Sequence, residues 1–346
     1  MTTLQAFTGG LRKVKQNKRL VSFAWFVNFS LALVLAIPML NQLDSYIAPS
    51  VNEEQLLQRW DDNWYYSFRM DFEKSEIARM LNYSILGPAP FVSSVDGILN
   101  GAGFRAVAGF LVDLFWRFQF RPSTLSLLTL LLIVYTLVNT YLAGGFISAY
   151  AEDSHFTLKD FLSKGATYFG RFFRLFLLSL ILFYLFFNVF DLLNRGIYEL
   201  TSNSPSEMTP FVYYMIRNVL FFFLLGLFVM WFDYAKIRIV VDGRWSALGA
   251  FGTGVKFSFT NFGRTFPIVL LLTIIGVVLM ALFGVLEGLI PQTGYWTILV
   301  VFLLQQVYVF FRMWLKASFY ATQTVLFRGL SAEQYASTIE PYARTA

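Results

Sequence analysis

The chain has 346 residues, 57% of them hydrophobic and only 14% charged, with 40 Phe and a net charge of +6. Its apolar residues come in runs of about 20, the length that crosses a hydrocarbon core about 30 Å thick, so the composition excludes an ordinary soluble domain and indicates an all-α, multi-pass membrane protein. With no Cys and a single His, His155, the chain lacks the residues for disulfides, thiolate catalysis, Cys-ligated metals or a His dyad.

A charge of +6 would suggest nucleic acid in a soluble protein. Here its distribution between loops matters more than its sum, and no nucleic-acid partner is expected.

In chain order, residues 1-19 form a basic, cytoplasmic N-terminus with Arg12, Lys13, Lys15, Lys18 and Arg19 and no acidic residue. The apolar run 20-40 follows as the first span. It is longer than the apolar region of a usual signal peptide and no A-x-A site follows it, so a retained signal anchor is expected.

Residues 41-121 read as an extracytoplasmic helical cap. Ser50 and Glu53 have capping-box spacing, which predicts a short helix carrying Leu56, Leu57 and Trp60, and Ile77, Met80 and Leu81 mark a second. The segment 60-76, with Asp61, Asp62, Asp71, Glu73 and Glu76 among Trp and Tyr, invites a cation-site or sugar-site reading; a solvated cap with interfacial aromatics explains the same residues without a ligand. The run Phe104 to Phe120 contains Arg105, Asp113 and Arg117, and at about 2.5 to 3.5 kcal/mol each near a helix centre these charges oppose a span. Its helical apolar spacing predicts an interfacial amphipathic helix instead.

Five further spans are expected at 123-149, 174-193, 211-233, 265-288 and 295-316. They are joined on the cytoplasmic side by connectors 150-173 and 234-264 and followed by a cytoplasmic tail, 317-346. With both termini inside, the cytoplasmic segments with their span ends, 1-20, 150-174, 233-264 and 312-346, hold 18 Lys+Arg against 7 Asp+Glu, and the rest of the chain 9 against 14. Basic residues near span ends resist translocation, so this bias supports the orientation.

The two connectors resemble each other. In each, an aromatic-Ser/Thr pair (Phe156-Thr157, Trp245-Ser246) is followed by a Gly eight residues after the Ser or Thr (Gly165, Gly254), an aromatic three residues on (Tyr168, Phe257) and an Arg leading into the next span (Arg174, Arg264). This predicts parallel repeats about an axis along the membrane normal, with chance similarity between two Phe-rich stretches as the alternative. A fainter echo relates Met230 to Ala247 with Met313 to Ala332. Both connectors are expected to hold amphipathic helices on the inner leaflet, with Phe161, Leu162, Tyr168, Phe169, Trp245, Leu248, Phe251 and Phe259 entering the acyl boundary. Arg171, Arg174, Arg244, Lys256 and Arg264 are then the candidate contacts to anionic lipid or to a protein partner. Asp233 and Lys236, three apart where the fourth span ends, make a candidate helix-end ion pair.

Four stretches carry a family resemblance: WFVNFSLALVLAIP after the basic N-terminus, NTYLAGGF ending the second span, YFGRFFRL opening the third, and DYAKIRIVVD leaving the fourth. They resemble a family of uncharacterised bacterial polytopic inner-membrane proteins, and are distantly similar to the membrane domain attached to some glycerophosphodiester phosphodiesterases. The resemblance implies six helices in a bacterial inner membrane. It implies no activity, because the catalytic phosphodiesterase domain with its His, Glu and metal-ligand motifs has no counterpart here.

No nucleophile, base, metal or phosphate-loop motif stands out, so no catalytic, cofactor-binding or metal site is expected. The reading is a non-catalytic accessory, scaffolding or regulatory subunit of a membrane assembly, with membrane lipids and protein partners. A transporter or lipid-handling permease is the alternative, supported by the suspected repeats and the wide apolar bundle.

Overall fold

A computed structural model of the chain describes residues 1–47, 66–67, 70, 124–152, 156–290 and 294–343. The expected cap helices, the acidic aromatic segment 60-76 apart from residues 66–67 and 70, the interfacial helix at 104-120 and His155 lie outside the described residues.

Those residues form helices and turns, with no strand among them. The helices are α1 (Thr3–Gln16), α2 (Lys18–Ile47), α3 (Thr124–Ala151), α4 (Leu158–Thr201), α5 (Met208–Val241), α6 (Ala247–Thr260), α7 (Phe262–Gly288) and α8 (Tyr295–Ala343). Four stretches among the described residues are long and apolar enough to cross a membrane: Leu158–Thr201, Met208–Val241, Phe262–Gly288 and Tyr295–Gln334. The runs expected as first and second spans fall largely in α2 and α3.

Several helices extend well beyond the runs read as spans. α4 has 44 residues, about 66 Å at 1.5 Å per residue, roughly twice the thickness of a hydrocarbon core. The boundary expected at 173/174 is therefore absent, and connector and span are one helix. The 49-residue α8 likewise continues through most of the expected tail. Nothing local stops either one. Position 172, where α4 would break if it followed α6, is a Phe buried in the packing rather than a capping residue.

Where helices do stop, the local chemistry is visible. α1 ends at Asn17 and α6 at Asn261, with φ/ψ of −108/32 and −113/28. In each, the amide Nδ2 donates to the carbonyl four residues back, Lys13 at 3.2 Å and Phe257 at 3.1 Å, satisfying an end group that the helix leaves unbonded. α5 ends at Asp242 and Gly243; the latter has φ +66, a left-handed conformation that glycine adopts without steric cost.

The chain divides into two compact units. One comprises Met1–Ser22, Leu137–Ile275 and Met313–Ala346, the other Phe23–Thr136 and Gly276–Arg312. The second unit, in its described part, includes stacked pairs Trp25–Phe29 and, between α7 and α8, Phe283–Tyr308 with centroids 4.5 Å apart.

In the first unit, α4 and α5 are joined by a phenylalanine cluster. Phe186 lies 4.8 Å from Phe190, 5.2 Å from Phe221 and 5.2 Å from Phe228, and Phe183 stacks on Phe232. Offset and edge-on ring pairs gain energy beyond the area they bury, which gives the abundance of Phe a structural use. Arg217 is buried beside it; its guanidinium donates to Asn218 Oδ1 at 2.7 Å and faces the Phe190 and Phe221 rings.

Candidate functional site

Three helices of the first unit begin in the same way. Thr2 caps α1, accepting from the Gln5 N–H at 3.3 Å. Thr157 caps α4, accepting from Asp160 at 3.2 Å, and Ser246 caps α6, accepting from Gly249 at 3.1 Å. Such a cap is worth about 0.5 to 2 kcal/mol. Asp160 completes a capping box on Thr157. The Thr157 hydroxyl and N–H both donate to this carboxylate, at 2.6 and 3.2 Å.

Eight residues after each cap stands a glycine, and each is a seat for another helix. A Cβ on Gly10 would come 2.7 Å from Thr322 N of α8. One on Gly165 would come 3.0 Å from the Tyr141 carbonyl oxygen of α3, and one on Gly254 2.9 Å from Ala235 N of α5. All three glycines are buried. At Gly10 and Gly165 the seated helix runs antiparallel to its partner, Gly9 lying against Val325 and Gly10 against Thr322. Phe161 lies against Gly145, and Gly165 against Gly144 and Tyr141; Phe251 meets Phe232, and Phe259 meets Trp231. The likeness of the two connectors marks Gly165 and Gly254 as repeat positions rather than as seats, and it does not reach Gly10, because the basic residues of α1 carry only an orientation signal in the sequence. The signal that would have found it is the Thr2-to-Gly10 spacing, equal to that in the other two.

This packing corrects the expected acyl-facing set. Phe161 is fully buried, its ring edge-on to Phe146 at 5.0 Å, and Phe251 packs on Phe232 at 4.9 Å. The glycine seats bring the helices so close that one face of each is used up by the neighbouring helix. Trp245, Leu248 and Phe259 remain outward, at 70%, 69% and 54% exposure.

The five candidate basic residues separate by their partners. Arg264 pairs with Glu333 of α8 at 3.1 Å beside an open groove of about 530 Å³ lined by Asn261, Gly263 and Leu330, and Arg244 lies 3.7 Å from Asp242. Arg171, Arg174 and Lys256 have no ion pair among the described residues. Arg171 lies on the Trp245 indole, 3.9 Å from its centroid, and also faces Tyr168, joining α4 to the start of α6. Arg174 is exposed and, among the described residues, bonds only back to the Gly170 carbonyl at 3.3 Å.

Asp233 and Lys236 are in contact, Nζ donating to Oδ1 at 2.9 Å. They do not sit at a helix end, because α5 continues to Val241. Asp233 is buried, and the Lys236 ammonium also faces the Tyr320 ring of α8 at 5.6 Å. Nearby on α8, Gln323 and Thr324 are wholly buried, and among the described residues neither Gln323 amide atom nor Thr324 Oγ1 has a hydrogen-bond partner; the same holds for the hydroxyls of Tyr150 on α3 and Tyr234 on α5. Two cations hold the end of α3: Lys13 donates to the Tyr150 carbonyl at 2.6 Å and Arg328 to that of Ala151. Both complement the negative end of the helix dipole.

Among the described residues no group of three or more His, Cys, Asp or Glu is placed to hold a metal. The fold and site together define a class, an all-α protein with helices of membrane-spanning length and a set of capped, glycine-seated connector helices. No protein-family model, curated protein or solved structure matches the chain.

Proposed function

We propose that this is a six-span protein of a bacterial inner membrane, with both termini cytoplasmic, that acts without catalysis as an accessory, scaffolding or regulatory subunit of a membrane assembly. The family resemblance to uncharacterised bacterial polytopic proteins belongs to this proposal. So does the internal repeat, which we extend to a third copy: α1 with α2, α4, and α6 with α7, each beginning with a capped helix seated by glycine on another helix, α8, α3 and α5 respectively.

The observation that carries the reading is the triple crossing at Gly10, Gly165 and Gly254. Tight backbone seats of this kind suit a fixed platform, since cores packed to contact do not deform continuously. The test is affinity purification of the full chain in mild detergent, with the co-purifying proteins and lipids identified. A stoichiometric protein partner that is lost when Gly10, Gly165 or Gly254 is replaced by Leu supports the reading; a chain that purifies alone at native expression overturns it.

The transporter or permease reading keeps one specific support, the buried polar atoms of Tyr150, Tyr234, Gln323 and Thr324 that have no hydrogen-bond partner among the described residues. Buried polar groups in a membrane helix bundle usually find a partner, so such atoms suit contact with a hydrated path. Solute flux in proteoliposomes that falls in Gln323→Leu favours it over the scaffold.

A further inference from the structure

We propose that Arg171 of α4, lying on Trp245 just before α6, is the seat of a headgroup site for anionic phospholipid, with Arg174 three residues further along α4 and Lys256 of α6 as the additional exposed cations of this surface. The inference deepens the membrane reading above and rests on it for the level at which α6 lies.

Three observations point to this occupant. The first is charge. Arg264 and Arg244 already have acidic neighbours, whereas Arg171, Arg174 and Lys256 have none among the described residues. An unpaired guanidinium and ammonium close to apolar surface call for an anion from outside the chain.

The second is the form of the surface. Trp245, Leu248 and Phe259 stand outward on and beside α6, and α6 lies between α5 and α7, two helices of membrane-spanning length. A short helix joining two spans lies where they leave the hydrocarbon, the level at which indole rings and phosphates meet. A soluble acidic partner would match the charges but not the exposed apolar row.

The third is pre-organisation. Arg171 is held over the indole, 3.9 Å from the ring centroid, and its Nη1 donates to the Gly243 carbonyl at 3.4 Å. A guanidinium fixed in this way keeps N–H edges free, and its planar fork suits two phosphate oxygens better than a lysine does. After its own glycine seat, α1 likewise carries the exposed cations Arg12 and Lys15, and the exposed Lys18 and Arg19 follow at the start of α2.

The test uses the full chain in mild detergent, exposed to equal amounts of phosphatidylglycerol and phosphatidylcholine, with retained lipid counted by native mass spectrometry. The wild type is expected to retain phosphatidylglycerol preferentially. At about fivefold per cation, the variant R171Q/R174Q/K256Q loses at least about tenfold of that preference. R264Q/E333Q, which removes a paired cation with its partner, keeps it. A second arm needs no variant: raising salt from about 0.1 M to about 1 M shortens the screening length from about 10 Å to about 3 Å and should erase the wild-type preference. No preference in the wild type, or an unchanged preference in the folded triple variant or at high salt, overturns the site. Retention of an acidic protein in place of lipid also overturns it. Either result with the chain still inserted leaves the membrane reading standing, so the two fail separately.

Discussion

Gly254 and Gly252 are two residues apart on the same helix and have opposite surroundings. A Cβ at Gly254 would meet Ala235 backbone at 2.9 Å, whereas one at Gly252 would meet nothing within 4 Å among the described residues. Gly254→Val is therefore expected to destabilise by about 1 to 3 kcal/mol through overpacking. Gly252→Ala is expected to be neutral or stabilising by up to about 1 kcal/mol, because alanine loses less freedom in a helix than glycine does. Thermal unfolding of the two variants in one detergent checks the contrast, and equal melting temperatures would contradict the seat. The ion pair yields a second expectation at this scale. Asp233→Asn leaves the Lys236 ammonium without its counter-charge in a largely buried place, at a cost of about 3 kcal/mol, and Asp233→Asn with Lys236→Met should recover much of the loss. If the double variant is no more stable than the single one, the pair is not the source of the cost. At residue scale the sequence was legible where spacing was local, as for the Asp233–Lys236 contact and the two glycines. It was opaque for Arg264, whose partner Glu333 is 69 residues away and comes near only through the fold.

At the scale of elements, apolar runs predicted helices but not their lengths. Hydropathy reports where a helix would be buried in lipid, and a helix continues beyond that until a residue stops it. Asn17 and Asn261 stop α1 and α6, while α4 passes the corresponding Phe172 without a break. The connector helices were expected on the bilayer surface because aromatic and basic residues alternate in them; the structure turns one face of each onto a neighbouring helix, since glycine lets backbones approach. The absence of native Cys makes these crossings directly testable. A Cβ on Gly144 would stand 3.3 Å from Tyr168 Cβ, and one on Gly9 3.3 Å from Val325 Cγ1. The pairs Gly144→Cys with Tyr168→Cys, and Gly9→Cys with Val325→Cys, are thus near disulfide reach and should oxidise to intramolecular bonds seen as a mobility shift on non-reducing gels. Gly144→Cys with Val325→Cys serves as the mismatched control. Cross-linking of the control as readily as of the two designed pairs would contradict the crossings.

For the whole molecule, composition was enough to indicate a membrane protein, and four helices of suitable length and apolarity agree with it. Orientation rests on the distribution of Lys and Arg, a statistical tendency of insertion rather than a contact in the fold. The central claim is that the three capped helices share the cytoplasmic side. It is tested most directly by single cysteines at exposed positions, Thr8 in α1, Lys159 in α4 and Ser246 before α6, with Ser206 between α4 and α5 as the opposite marker. In intact spheroplasts an impermeant maleimide should label Ser206→Cys alone, and after lysis it should label all four. Labelling of Thr8→Cys, Lys159→Cys or Ser246→Cys before lysis would contradict the account.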